Sequence, residues 1–381
     1  MKVLITTDLY ATDTNGVVTS IKNLVAALNQ AGHEVRILAV SGNRENQVKD
    51  SVYYVKSASL EFIYPQVRMP ISYSNRLIRE IVSWKPDVIH SQCELFSMQF
   101  AKKVSKKTRA PIVHTYHTMY EQYVGYVVPG ERFGKWVVRR LTNSRLKHTS
   151  AVIAPTHKVE ELLVRYGLDK PIWVVPSGID LTRHRTRITP EERRQMLADL
   201  GIPEDRFVML NLGRLGNEKN IGELLTMFAA LRSNYPEAVF LIVGDGPARA
   251  ELEKQAEHLG IREHVVFAGM VAPLETHKYY QLGDVFVSAS TSETQGLTYI
   301  EAAANGLPLL CREDLCLRNV IVQGENGYQY NTDQEFLTYL SAMIKNDEWR
   351  VEAGKRSEAL MQIFDKSVFG KAVEAVYRSV M

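Results

Sequence analysis

Asp284-Val-Phe-Val-Ser288-Ala-Ser290-Thr-Ser-Glu293-Thr-Gln-Gly296-Leu297-Thr298-Tyr-Ile-Glu301-Ala-Ala-Ala304 is the stretch that decides the fold. Its first five residues read as a buried strand, and the apolar, Ala-rich run from 298 to 305 reads as a helix. Small hydroxyl residues, one Glu and a Gly lie between them. A strand–loop–helix junction of this kind leaves free backbone N–H groups at the helix start, where an anion such as a phosphate is favoured. A fixed carboxylate beside such a site is costly unless it binds something neutral, and sugar hydroxyls are suitable partners for Glu293. Glu301 follows eight residues later, about two helical turns on if the helix were continuous. The two carboxylates could then hold two hydroxyl-bearing parts of one ligand. A solvated loop Glu and a first-turn Glu favoured by the helix dipole fit the spacing equally well.

Outward from this stretch the pattern repeats. Strands are expected at 207–212, 239–243, 265–268, 284–288 and 308–311, with helical segments between them. Two more strand ends carry suggestive loops: Gly213-Arg214-Leu-Gly-Asn-Glu-Lys219-Asn220 and Gly244-Asp245-Gly246-Pro247. Arg214 offers a bidentate fork and Lys219 a point charge, a pair suited to a leaving diphosphate. A solvated Arg and Lys on a loop is the plain alternative.

An earlier βα series runs from 2–7 through helix 21–30 to strand 34–40, then helix 74–84, strand 87–90, helix 96–107 and strand 111–116. Strand 151–155, helix 156–166 and strand 172–175 complete it. Asn15-Gly16 stands at its first helix entrance, where a glycine allows a ligand close to the backbone. GxGxxG is absent, so a dinucleotide fingerprint is not present. His117 lies just past a strand's carboxyl end, the place where open α/β sheets bind ligands. It could equally be a loop His bonded to nearby backbone. The break at Pro176-Ser-Gly178-Ile-Asp180 and the Arg-rich 181–190 put the domain boundary near 177–190. The expected architecture is α/β, two doubly wound Rossmann-like domains facing each other across a cleft, 1–178 and 190–365. The terminal helix, about 366–381, is expected to pack back on the first domain.

The 381 residues are enough for two cores, and three cysteines without metal spacing fit reduced thiols in the cytosol. The opening apolar run is too short for a signal peptide, and no uncharged stretch is long enough to span a bilayer. Net charge is +3, yet residues 1–180 hold 24 Lys and Arg against 15 Asp and Glu, while the remainder holds 22 against 28. The basic half suggests an anionic surface as partner. Its most basic segment, 130–148, contains Arg132, Lys135, Trp136, Arg139 and Arg140. Phe133, Trp136, Val137, Leu141 and Leu146 approximate one helical face, as in a helix lying on an anionic membrane. An ordinary docked helix with a solvated charged face is the alternative. No recognition motif accompanies the charge, so nucleic acid is not an expected partner. No Asp-x-Asp and no His/Cys cluster with metal spacing occurs, so a leaving diphosphate would be neutralised by Arg214, Lys219 and a helix N-terminus, without metal.

Taken together, Asn15-Gly16-Val-Val-Thr-Ser20, His114-Thr-Tyr-His117-Thr-Met-Tyr-Glu-Gln-Tyr123, Pro176-Ser-Gly-Ile-Asp180, Arg214-x4-Lys219, Gly244-Asp-Gly-Pro247 and the Glu293-x7-Glu301 pair make the chain resemble retaining GT-B glycosyltransferases of family 4 over its whole length. The resemblance implies that Arg214 and Lys219 bind the donor's diphosphate, that Gly16 lets the first domain approach it, and that Gly246 lies in a donor-binding loop. It further implies that Glu293 bonds the transferred sugar, Gly296, Leu297 and Thr298 cap the distal phosphate or sugar, Glu301 binds the ribose and His117 sits over the anomeric centre. Retention would then be a front-face transfer, with Glu293 and Glu301 not a hydrolase acid/base pair.

His114-Thr-Tyr-His117-Thr-x-Tyr-Glu-x-Tyr123, Gly269-Met-Val-Ala-Pro273 and Ser288 to Tyr299 are similar to bacterial diacylglycerol glucosyltransferases. That similarity implies UDP-glucose as donor, diacylglycerol as acceptor, no cofactor, and a peripheral enzyme on the inner face of the cell membrane. Asn305-Gly-Leu-Pro-Leu-Leu-Cys311-Arg-Glu-Asp314 departs from that subgroup's pattern, and a soluble saccharide or a glycolipid is the alternative acceptor.

Overall fold

The computed structural model describes residues 1–10, 15–41, 45–59, 68–122 and 131–381. Tyr123 at the end of the His114 motif, Gly130 at the start of the basic segment, and 11–14 of the first βα loop lie outside them.

The apolar runs become strands because a parallel strand is buried on both faces and must be apolar almost throughout. The first unit runs β1 (Lys2–Thr7), α1 (Gly16–Gln30), β2 (Glu34–Val40), β3 (Gln47–Lys49), β4 (Val52–Val55), β5 (Ser57–Ser59), β6 (Arg68–Pro70), α2 (Arg76–Trp84) and β7 (Val88–Ser91). It continues with α3 (Ser97–Thr108), β8 (Ile112–Thr115), α4 (Glu131–Leu146), β9 (Ala151–Ala154), α5 (His157–Arg165) and β10 (Ile172–Val174). The main sheet has the order β10-β9-β8-β7-β1-β2-β4-β3, parallel except for β3 at one edge. α1 begins at Gly16, five residues before the apolar periodicity, because the Asn15 side chain accepts from Val17 N at 2.9 Å and Val18 N at 3.1 Å.

The second unit, Ile179–Asp365, runs α6 (Leu181–His184), α7 (Pro190–Asp199), β11 (Val208–Leu212), α8 (Ile221–Arg232), β12 (Val239–Val243), α9 (Arg249–His258) and β13 (Val265–Gly269). Then come α10 (Thr276–Tyr280), β14 (Val285–Ser288), α11 (Leu297–Ala304), β15 (Leu309–Arg312), β16 (Gly327–Tyr330), α12 (Asp333–Lys345) and α13 (Asp347–Leu360). Its sheet is wholly parallel in the order β13-β12-β11-β14-β15-β16. That is the doubly wound order, with the switch point between β11 and β14.

The last helix, α14 (Lys366–Val380), belongs to the first unit, Met1–Gly178. Phe369, Val373, Val376 and Tyr377 join Ile21, Leu24 and Leu28 of α1 in one core. A Cβ on Gly370 would stand 2.6 Å from the Ala27 Cβ, so the glycine sets how closely the two helices approach. Tyr377 OH also meets His90 Nδ1 on β7 at 2.7 Å.

Candidate active site

In the second unit the switch point lies under the expected loops. Gly213-Arg214 leaves β11, and Ser288 to Gly296 leaves its neighbour β14. Gly244 has a φ of +129°, and a Cβ there would fall 1.9 Å from the Gly213 carbonyl oxygen. One on Gly246 would fall 2.4 Å from Leu215 O. Both glycines therefore let the β12 loop lie directly on the β11 loop, an arrangement closed by Leu215 N donating to Asp245 O at 3.0 Å. Gly246 has this packing role whatever else it touches. Ser292 Oγ donates to Glu218 O at 3.3 Å and Asn220 Nδ2 to Ala289 O at 3.3 Å, so all three loops converge.

The cations within them are ion-paired. Arg214, 46% exposed, bonds the Glu218 carboxylate one turn on, and Lys219 Nζ bonds Glu293 Oε1. Ser290 Oγ donates to the same Glu293 oxygen at 3.2 Å. Neither pairing is visible in the spacing, which showed only two cations and a loop Glu.

α11 begins at Leu297 under Gly296, whose φ is +74°. A Cβ there would stand 2.3 Å from the Tyr299 ring, and Tyr299 OH meets Ser288 Oγ at 3.1 Å in the core. The glycine thus serves both the left-handed turn and the packing of the aromatic beneath it. Because α11 starts at Leu297, Glu301 opens the second turn; it is not the first-turn, dipole-favoured residue expected.

A buried polar cluster explains Glu301 instead. Tyr280 OH donates to Glu301 Oε2 at 2.9 Å, and His184 Nε2 stands 4.0 Å from Oε1. Asn305 Nδ2 donates to the Glu301 carbonyl at 2.8 Å and meets His184 Nδ1 at 3.0 Å. Burial raises the Glu301 carboxyl, opposed by the Tyr280 hydrogen bond and the Arg183 charge. Burial also holds His184 neutral, down to about 3, with Arg183 and His277 adding to the effect. His184 and Tyr280 were not singled out in the sequence, and Asn305 stood there only at the start of the stretch that departs from the subgroup's pattern. His184 falls in the Arg-rich segment after Asp180, whose side chain caps the four-residue α6.

In the first unit the switch point between β1 and β7 gathers a second polar group. Asp8 follows β1 and accepts from Ser97 N at 2.5 Å and Phe96 N at 3.3 Å at the start of α3. Burial lifts its carboxyl to about 6 against those two donors. Glu94 is buried, accepting from Tyr120 OH at 2.6 Å and bonded to His114 Nε2 at 3.0 Å. His117 Nε2 lies 2.7 Å from Gln92 Oε1, and burial lowers His117 to about 4 although Glu94 favours its charged form. His117 is therefore neutral at pH 7. Asp8, Gln92 and Glu94 went unremarked in the sequence, where their only signal is a position just past a strand. Gly16 is exposed at the start of α1.

α4 corrects the expected apolar face. Leu146 is fully buried and Val138 packs on the same core, whereas Phe133, Trp136 and Leu141 are 59%, 51% and 54% exposed. The docked stripe is Gly134, Val138, Thr142 and Leu146, spaced four apart, and the exposed apolar residues occupy the other side. Phe133 and Trp136 stack at 5.8 Å, with the Arg140 guanidinium 5.3 Å from the Trp136 ring. Arg132 and Lys135 are exposed beside them. Arg139 is tied to the fold, its Nε donating to Tyr166 O at 3.1 Å. Among the described residues no group of three or more His, Cys, Asp or Glu could hold a metal ion, and no helix is long and apolar enough to cross a membrane.

Two parallel-sheet α/β units, each with polar loops gathered at its switch point, are the architecture of a GT-B glycosyltransferase. A family model described as Glycosyltransferase Family 4 matches residues 14–183, and one described as Glycosyl transferases group 1 matches 192–359. The chain belongs to the family 4 glycosyltransferases. It is 31% identical to the alpha-monoglucosyldiacylglycerol synthase of Acholeplasma laidlawii, over 99% of this chain and 96% of that one. It is 32% identical to the synthase of the same name from Streptococcus pneumoniae, over 99% of this chain and 85% of that one. The crystal structure of Anabaena Alr3699/HepE in complex with UDP-glucose shares the fold, with a TM-score of 0.77 at 18% identity over the full length of both chains.

Proposed function

We propose that this glycosyltransferase moves glucose from UDP-glucose, with retention and without a divalent metal, onto 1,2-diacylglycerol at an anionic membrane surface. The observation that carries the donor half is the convergence of Arg214, Lys219, Glu293 and the α11 N-terminus at one switch point. In this reading Arg214 and Lys219 exchange their carboxylate partners for the diphosphate and take up the charge that develops as it leaves. The N–H groups of Gly296, Leu297 and Thr298 cap the distal phosphate or the sugar. Glu293, released in part from Lys219, accepts from hydroxyls of the hexose. Glu301 accepts from the ribose hydroxyls, for which it must be ionised, and the Tyr280 and Arg183 contacts favour that form. His117 positions the sugar as a neutral ring. Retention proceeds on the front face, the leaving oxygen assisting the acceptor hydroxyl.

The acceptor half is supported by two relatives named for monoglucosyldiacylglycerol synthesis and by the exposed Phe133, Trp136 and Leu141 among Arg132, Lys135 and Arg140. Incubation with mixed UDP-sugars and a lipid extract, followed by mass spectrometry, tests the whole. Glucosyl diacylglycerol formed in the presence of a chelator is the expected product. Transfer only to water-soluble saccharides would refute the lipid acceptor, and complete loss on chelation would refute the metal-free step. Arg132→Glu with Arg140→Glu is expected to weaken binding to vesicles rich in anionic lipid; binding equal to wild type would remove α4 from the membrane contact.

A further inference from the structure

Gln92 follows β7 directly, its backbone N donating to Thr6 O of β1 at 2.9 Å. The residue is 2% exposed. Its amide oxygen lies 2.7 Å from His117 Nε2. With the amide turned this way its oxygen accepts, which places the proton of the neutral imidazole on Nε2 and makes Nδ1 the acceptor of the ring. Its amide nitrogen, by contrast, has no hydrogen-bond partner among the described residues. Buried donors are almost always satisfied, because one left without a partner bears the full cost of its lost hydration. A buried carboxamide with one end engaged by a site residue and the other a bare donor, at the carboxyl end of a strand beside the switch point, has the form of a ligand contact.

We propose that Gln92 is a substrate-binding and positioning residue of the transfer: its Oε1 holds His117 as the Nε2–H tautomer, and its Nε2 donates to a hydroxyl oxygen of the substrate bound at the carboxyl ends of β7 and β8. This rests on the transferase reading. The hydroxyl belongs either to the hexose of the donor or to the acceptor, and both present the same neutral oxygen to the amide. Among the described residues, Glu94 favours a charged His117 and His114 opposes it, and His90 lies close enough to be held neutral in part by His117. An amide at position 92 adds a hydrogen bond without adding a charge to that set.

The test uses the full chain with Gln92→Glu and Gln92→Met. The Glu variant still accepts from His117 but cannot donate when ionised, and the Met variant does neither at similar volume. Loss of one hydrogen bond to a neutral hydroxyl is expected to raise KM by about tenfold in both variants. A rise for the UDP-hexose assigns the oxygen to the donor, and a rise for the lipid acceptor assigns it to the acceptor. Imidazole NMR of the unliganded protein supplies a readout independent of turnover, and for the wild-type tautomer independent of the variants' folding. Wild type is expected to show His117 as Nε2–H, and Gln92→Glu is expected to shift its titration upward by more than one pH unit. Wild-type kcat and KM for both substrates in both variants, or an Nδ1–H tautomer in the wild-type spectrum, would overturn the role of Gln92 while the transferase reading stands. A wild-type protein that turns over no UDP-sugar with any acceptor would fail the transferase reading itself, and the substrate contact with it.

Discussion

Replacing Lys219 with Met separates two roles of one ammonium. In the unliganded protein Lys219 neutralises Glu293, and both side chains are mostly buried. At an effective dielectric of about 20 and a separation of about 3 Å their attraction is about 5 kcal/mol, most of it offset by desolvation. Lys219→Met is therefore expected to destabilise the second unit by about 1–2 kcal/mol, through the carboxylate left without its cation. Glu293→Gln added to Lys219→Met should restore most of that loss.

UDP binding should respond differently. Loss of a charge-assisted contact with the diphosphate costs about 1.5–3 kcal/mol, or roughly 10- to 150-fold in Kd. The double variant should remain as weak as Lys219→Met, because in the proposed reading the ammonium meets the diphosphate and Glu293 does not. Urea unfolding gives the stability cycle and calorimetric titration with UDP gives the affinity. If Lys219→Met bound UDP as tightly as wild type, Lys219 would not be a diphosphate ligand. If the double variant recovered affinity together with stability, the binding loss would be a folding effect.

Three further outcomes follow from the same geometry. Tyr280→Phe removes the hydrogen bond that opposes the raised Glu301 carboxyl, so the acidic limb of kcat/KM for UDP-glucose should move to higher pH; an unmoved limb would separate Glu301 from donor binding. Gly296→Ala meets both a φ of +74° and the Tyr299 ring and should cost about 2 kcal/mol or more by thermal unfolding, with loss of transfer; a variant as stable as wild type would refute the packing account. Asp8 titrates near 6 in the fold against 3.8 unfolded, so the native state holds the extra proton between those values. The stability contributed by its protonated form is complete below pH 4 and lost as pH rises through 6. Asp8→Asn should therefore stabilise the protein at pH 8 by about 1–2 kcal/mol, and the gain should vanish by pH 4. A gain independent of pH would show that the carboxyl is not the strained group.

The ion pairing of Arg214 and Lys219 bears on the proposed donor chemistry. Arg214 and Lys219 are held in place by Glu218 and Glu293 before any ligand arrives. Their positive charge is not exposed as a bare patch, and a diphosphate gains it only by displacing carboxylates. That arrangement favours a ligand that also satisfies Glu293 with hydroxyl donors, as a sugar diphosphate would and inorganic diphosphate would not.

The sequence by itself determined the α/β alternation, because parallel strands buried on both faces must be apolar and helices between them must carry one apolar stripe. It also put Arg214, Lys219, Glu293 and His117 just past strand ends, since position after a strand is local information. Edge elements such as β3 and β16 stayed illegible, being short and partly polar; every residue of β3 is exposed. Only the tertiary structure decided which strands are neighbours, and hence that the loops after β11 and β14 share a switch point while lying more than 70 residues apart. The Glu301 carboxylate meets Tyr280 and His184 from two other segments, and no periodicity within one segment reports such a meeting. On α4 the local pattern could not tell which apolar residues face the core, because Leu146 and Trp136 are equally apolar and only the packed sheet chooses between them. Gln92 is the same lesson at one residue: a glutamine after a strand is unremarkable until the fold buries it against His117.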